Sequence, residues 1–236
     1  MRSPVGARND AVMKLRASAV ALLISFAAVT VLHLIAQFVA PGELFAHVTQ
    51  SLLMPLLAAA LWAGTVRPRG RLVWAVIVAL FFSWLGDVLP RFVAGDAGFL
   101  TMVGCFLIAQ VWYIVAFAPS WRRSVVRQPL LLLPYLAAFA LLVVFCAGGA
   151  GSLLVPVVIY GIALVTMAVL STGLGRVAGL GGAIFFVSDA MIALRTFADI
   201  APPASGFWVM LTYSLGQALI VVAVMRCTQQ QTKKES

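Results

Sequence analysis

The sequence predicts an all-α integral membrane protein of eight transmembrane helices, and three observations carry that expectation. Of the 236 residues, 63% are hydrophobic and only 10% are charged, whereas a soluble domain carries about 25% charged residues. Long apolar runs alternate with short breaks rich in Pro, Gly and Arg, and about 20 apolar residues are what a helix needs to cross the hydrocarbon. The runs lack the strict polar–apolar alternation of a membrane β-barrel. One membrane domain is expected to take up the whole chain, 1–236.

The first span is expected over 17–40. Arg2, Arg8, Lys14 and Arg16 precede it, as basic residues precede a secretion signal. The run is too long for such a leader, so it reads as a retained helix. The second span, 44–63, follows the break "PGE". The third, 72–90, follows "TVRPRGR" and contains "FFSWLGDVLP" with Asp87. The fourth, 99–118, follows "PRFVAGDAG" and carries Gln110 and Tyr113. The fifth, 130–147, is the shortest and follows "APSWRRSVVRQP". The sixth, 152–172, follows "AGGAG" and carries Tyr160. The seventh, 178–198, follows "GLGR" and contains "FFVSDAMIAL" with Asp189. The eighth, 206–225, follows "ADIAPPASG" and carries Tyr213 and Gln217. Short basic tails, 1–16 and 226–236, flank the spans. Pro55, Pro134 and Pro156 fall inside spans, where they are expected to kink them. Trp62, Trp74, Trp121 and Trp208 fall near span ends, as interface anchors do.

The net charge is +9. In a soluble chain that would raise nucleic acid as a partner. Here the basic residues occupy the breaks, so the charge reads as a topology signal and no nucleic-acid partner is expected. Of the 16 Lys and Arg, all but Arg91 and Arg195 fall in the tails and in the breaks after spans 2, 4 and 6. Both termini are therefore expected in the cytoplasm, in a multi-pass protein of the cell inner membrane. Cys105, Cys146 and Cys227 form no CxxC pair and have no histidine nearby. No metal site or cofactor is expected. The glycines of "GLGRVAGLGG", 173–182, follow no strand, so they read as helix contact rather than a nucleotide loop. His33 and His47 read as packing or interfacial residues.

The acids are the informative feature. A charge near the bilayer centre costs about 2.5 kcal/mol or more, so intramembrane acids face the bundle interior and mark functional sites. Asp87 and Asp189 must turn inward, toward a partner or a watery cavity. Arg91 follows Asp87 by one helical turn, and Arg195 lies near the same end of its span as Asp189. A pairing that only fixes helix packing is the alternative. A short internal repeat accompanies the acids. "FFSWLGD" in span 3 answers "FFVSD" in span 7, and the spans that follow carry Gln110 and Gln217. It suggests two parallel four-helix halves.

Two carboxyls in a dry chamber can divide labour, because one keeps its proton while the other ionises. That arrangement suits acid-catalysed cleavage through an oxocarbenium-like state. One group gives its proton, and the other steadies the cation or orients water. Ser83, Ser188, Gln110, Tyr113, Tyr160, Tyr213 and Gln217 read singly as interhelical hydrogen-bonding residues. As a set around two acids they read as a pocket lining that contacts substrate.

The ordered motifs "FFSWLGDVLPRF", "GCFLIAQVWYIVAF", "VVIYGIALVTMAV", "GGAIFFVSDAMIAL" and "TYSLGQALI" make this chain resemble the YhhN-like, or lysoplasmalogenase, family of eight-span membrane proteins. The resemblance runs from about residue 50 to 222. It implies hydrolysis of the vinyl ether bond of lysoplasmalogens to a fatty aldehyde and a glycerophospho-base. It also implies that Asp87 and Asp189 are catalytic, and it includes Ser83, Gly86, Ser188, Tyr213 and Gln217 among the matching positions. The family pattern carries histidine where this chain has Gln110, and Lys-Pro where it has Gln50 and Ser51. On this reading the substrate is a lysophospholipid drawn from the bilayer, and Arg91 and Arg195 either hold its phosphate or snorkel to the interface. Which aspartate gives the proton stays open. A proton-coupled transporter and a non-catalytic lipid-binding protein are the rival expectations.

Overall fold

A computed structural model describes the backbone of residues 4–234 and the side chains of residues 17–230. The tail side chains at positions 2, 8, 14, 16, 233 and 234 lie outside the described residues. Eight α-helices follow in order: α1 (Pro4–Val39), α2 (Leu44–Gly64), α3 (Arg71–Val88), α4 (Gly95–Phe117), α5 (Pro129–Ala150), α6 (Leu154–Ser171), α7 (Arg176–Phe197) and α8 (Ser205–Lys234). Each contains its expected span, give or take a few residues at the ends. The first and last run on through much of the expected tails.

Seven continuous helical stretches among the described residues are long and apolar enough to cross a membrane. One fewer than expected arises because the stretch Pro129–Leu174, 46 residues long, contains both α5 and α6. A straight helix of that length would run about 69 Å, more than twice the hydrocarbon thickness of about 30 Å. It does not run straight. Gly151 takes φ +49°, a left-handed setting that costs glycine little. Beyond it α6 packs back on α5. A side chain at Gly161 would meet the Phe139 ring at 2.4 Å, so residues on either side of the reversal face each other. Pro156, expected to kink a span, sits in the first turn of α6, where its missing N–H leaves nothing unsatisfied.

One apolar core runs through the bundle, from Leu53, Leu57 and Leu61 of α2 to Leu164 and Met167 of α6 and Ile220 and Val224 of α8. Close helix approach depends on glycine, as the "GLGG" stretch suggested. A Cβ at Gly216 would stand 2.9 Å from the Gly181 carbonyl oxygen and 2.9 Å from the Phe185 amide. At Gly182 it would stand 2.4 Å from the Ser171 hydroxyl on α6. Without a hydrophobic drive between helices in lipid, such contacts hold the bundle together.

The helix ends sort by charge. At one end the α4–α5 and α6–α7 connections meet where the Val125 amide donates to Thr172 Oγ1 at 3.0 Å. There too Gln229 Nε2 of α8 donates to the Gly64 carbonyl of α2 at 3.4 Å, and Arg69 lies 3.6 Å over the Trp62 ring. This end collects the basic connections. Arg91 and Arg195 stand at the other, around a cavity.

Candidate active site

The cavity measures about 550 Å³ and lies where α1, α3 and α7 end and α2, α4 and α8 begin. Both aspartates line it, with Gln50, Arg91, Arg195 and Tyr213. The two carboxyls, 102 positions apart in the chain, thus share one chamber, and both are half-buried.

Asp87 lies in the last turn of α3. Its Oδ2 accepts from the Tyr213 hydroxyl at 2.9 Å and its Oδ1 from Gln50 Nε2 at 3.1 Å. Packing fixes the Tyr213 ring, which meets Phe185 edge-on at 5.5 Å and Phe106 at 5.8 Å between centroids. Gly86 leaves room for Phe106, since a Cβ there would sit 2.7 Å from that ring.

Arg91 follows in a 3-10 turn, Leu89–Phe92, whose tighter winding turns it toward α2. It reaches Asp87 through Gln50 rather than directly. Its Nη2 donates to Gln50 Oε1 at 2.9 Å, and its Nη1 donates to the His47 carbonyl and to Ser51 Oγ, each at 3.0 Å. Trp84 Nε1 donates to the Ser51 carbonyl at 3.0 Å and ties α3 to α2 beside this chain of contacts. Gln50 therefore uses the donor end of its amide on an acid and the acceptor end on a guanidinium, and so joins the two.

Asp189, on α7, accepts from the Tyr160 hydroxyl through Oδ2. The neighbouring Ser188 lines the cavity wall and donates to the Val209 carbonyl of α8 at 3.0 Å. Arg195 stands two turns on, exposed at the mouth, with only a 3.5 Å contact to Ser205 Oγ.

Four residues expected to line the pocket do not touch the cavity. Ser83, Gln110, Tyr113 and Gln217 are each fully buried and lie a turn or more deeper along α3, α4 and α8. Three of them pair with one another. The Tyr113 hydroxyl donates to Gln217 Oε1, and Gln217 Nε2 donates to Ser83 Oγ at 3.2 Å. Gln110 lies one turn along α4 from Phe106, its amide close to Tyr160 without a hydrogen bond of ordinary length. Substrate contact, expected of these four, gives way to a polar floor under the chamber. The cause is axial depth: they share a face with the cavity residues but lie further along it.

His33 keeps its expected packing role. Thr49 gives its hydroxyl proton to the Phe45 carbonyl at 2.8 Å, so it accepts from His33 Nδ1 at 3.0 Å. Gln50 and Ser51 are the site residues that sequence reasoning missed as ligands of the acid and the base. The available signal was an adjacent polar pair early in an apolar span.

Chemically, the chamber offers two carboxyls, two guanidinium groups and a route to water at one end of a membrane bundle. The model of the YhhN family matches residues 45–224, a segment that includes every cavity residue from α2 to α8. Lysoplasmalogenase TMEM86B of Homo sapiens is 32% identical over 184 residues, covering 77% of this chain and 76% of that one. The Rattus norvegicus protein of the same name is 31% identical over 172 residues, covering 73% and 70%. No solved structure matches the chain.

Proposed function

The chain belongs to the YhhN family, and from that premise we propose that it hydrolyses the vinyl ether bond of lysoplasmalogens with Asp87 and Asp189 as its catalytic pair. The similarity to proteins named lysoplasmalogenase supports the ether-hydrolase activity. One observation carries the mechanism: both acids line a single cavity that also holds Arg91 and Arg195.

A vinyl ether is opened by acid. Protonation of its β-carbon gives an oxocarbenium ion, and water adds to the carbon bearing oxygen. The resulting hemiacetal collapses to a fatty aldehyde and a glycerophospho-base. One aspartate gives the proton, and the other steadies the cation and takes a proton from water. Tyr213 and Gln50 orient Asp87, and Tyr160 orients Asp189. Arg91 and Arg195, at the mouth, suit a lipid phosphate.

Asp87→Asn and Asp189→Asn test the pairing, with aldehyde release from lysoplasmalogen measured beside wild type. Loss of an acid or base catalyst costs about a hundredfold or more. If wild type releases aldehyde and either variant keeps pace with it, the paired-acid mechanism fails.

The charge-sorted ends support a reading in which the basic connections and both termini lie in the cytoplasm and the cavity faces outward from the inner membrane. A C-terminal reporter should be active only in the cytoplasm, and protease access from outside would reverse the orientation.

A further inference from the structure

A second, smaller hollow adjoins the chamber. It lies between α4, α6 and α7 and holds about 40 Å³. Its walls are apolar: Met102, Val103 and Phe106 from α4, Val157 from α6, and Ala193 and Phe197 from α7. Its polar members are the Tyr160 hydroxyl and the Asp189 carboxyl. Phe99, Met102, Phe106, Asp189 and Ile192 line both hollows. Asp189 therefore stands where a polar chamber gives way to an apolar slot. Asp87 and both arginines line only the chamber.

We propose that this slot takes the first carbons of the substrate's single hydrocarbon chain, which makes Asp189 the proton donor. The ligand's identity rests on the hydrolase reading above; the slot itself does not. A one-chain lipid is polar at one end and apolar at the other, and its ether oxygen marks the junction. A bundle that cleaves there needs its acids at a matching junction. The phosphate belongs with Arg91 and Arg195, and the chain belongs in the slot. Val157 and Ala193 are half-buried rather than sealed, so the rest of the chain can lie along the bundle surface in lipid.

The geometry then orders the reaction. The β-carbon of a vinyl ether is on the chain side of the bond, next to the slot. Asp189 accepts one side-chain hydrogen bond, from Tyr160 on Oδ2, which leaves Oδ1 to carry a proton. Asp87 accepts on both oxygens, as a carboxylate does. The Asp189 O–H bond breaks as a C–H bond forms at the β-carbon. The alkene electron pair supplies that bond, and the ether oxygen shares the resulting positive charge. Water adds to the oxygen-bearing carbon, and its proton passes to Asp87. On collapse Asp87 returns that proton to the departing glycerol oxygen, and the hemiacetal hydroxyl proton goes to Asp189. One water is consumed, and both acids are restored.

The first test needs no turnover. An ester-linked lysophosphatidylcholine with a diazirine near the carboxyl end of its chain is photolysed with the full-length protein, and the labelled peptides are read by mass spectrometry. Label competed by unmodified lipid should fall on the segments around Met102, Val157 and Ala193, and Ala193→Phe should reduce it. Label on α1, α2 or α8, or label indifferent to Ala193→Phe, overturns the slot. The second test measures the binding of hexadecenyl and octenyl lysoplasmalogen to wild type and to Ala193→Phe. Each methylene buried is worth about fourfold in binding, so a variant that excludes two should weaken both lipids about sixteenfold, because both carry the same first carbons. Val157→Phe replaces Ala193→Phe if the latter does not purify as a monodisperse protein. Affinity for both lipids within twofold of wild type in a well-folded variant also overturns the slot. Slot labelling without aldehyde release from wild type would uphold the slot while the hydrolase reading fell.

Discussion

Gln50→Leu is the sharpest probe of how the site is held. Leucine keeps roughly the bulk of the side chain and removes both ends of the amide. Two contacts disappear: the 3.1 Å donation to Asp87 and the 2.9 Å acceptance from Arg91. Hydrogen bonds to charged groups contribute about 1.5–3 kcal/mol each, so the gross loss is about 3–6 kcal/mol. Neither charged partner is stranded. Asp87 keeps Tyr213, and Arg91 keeps the His47 carbonyl and Ser51. The chamber is also open to water, which replaces part of what is lost. The net effect should therefore lie near the worth of one such bond, about 2 kcal/mol. It should fall on the geometry of Asp87 rather than on the fold, giving about a thirtyfold fall in kcat/KM. The assay is aldehyde release, with thermal unfolding in detergent as the control. Activity within twofold of wild type at an unchanged melting temperature would refute the reasoning, because Asp87 would then be positioned without Gln50. A fall in melting temperature of many degrees would show that the contact chain from α3 to α2 holds the bundle rather than the acid.

Two further predictions follow from other contacts. Tyr160→Phe removes the hydroxyl that holds Asp189 and keeps the ring in the slot wall, so kcat should fall about tenfold to a hundredfold with the melting temperature nearly unchanged; a kinetically silent variant would detach Asp189 from Tyr160 in function. Gly216→Val places methyl groups where even a Cβ would stand 2.9 Å from the α7 backbone; overpacking of about 1–3 kcal/mol should lower the melting temperature and also reduce activity, because Phe185 at that contact supports Tyr213, and unfolding curves identical to wild type would show that α7 and α8 need no such close approach.

The fold was legible because lipid leaves few choices. Every backbone group in the hydrocarbon must bond within its own segment, so run length and breaks located each helix to within a few residues. Both acids were legible for a related reason: a charge in an apolar run is too costly to be incidental. Tyr160 and Tyr213, expected around the acids, do hold them; the rest of the lining was not legible, and the reason is geometric. Helical periodicity tells which residues of one helix share a face. It does not tell how deep another helix places its own polar residues against that face. Gln110, Tyr113 and Gln217 sit on the correct faces of α4 and α8 and still miss the chamber by a turn. Gln50, on a helix with no acid of its own, receives its meaning only from Asp87 and Arg91 across the α2–α3 contact.

Once the helices are in place, the short repeat seen in the sequence acquires structural content. Asp87 is on the third helix and Asp189 on the seventh. Each accepts a hydrogen bond from the helix before its own, Gln50 on α2 and Tyr160 on α6. Each of those donors is the seventh residue of its helix, counted from Leu44 and from Leu154. The long-range packing follows the same exchange, with α2 against α8 and α6 against α4. Two halves of four helices would produce this pattern, and an even number of crossings keeps them parallel. The halves differ where chemistry requires it. An amide holds Asp87 and joins it to a base beside the polar chamber. A phenol holds Asp189 and has no base to join, at the edge of an apolar slot. A duplicated frame that kept two identical acids would give each the same task; on the proposed mechanism, dissimilar donors at equivalent positions would let one carboxyl remain ionised while the other carries a proton.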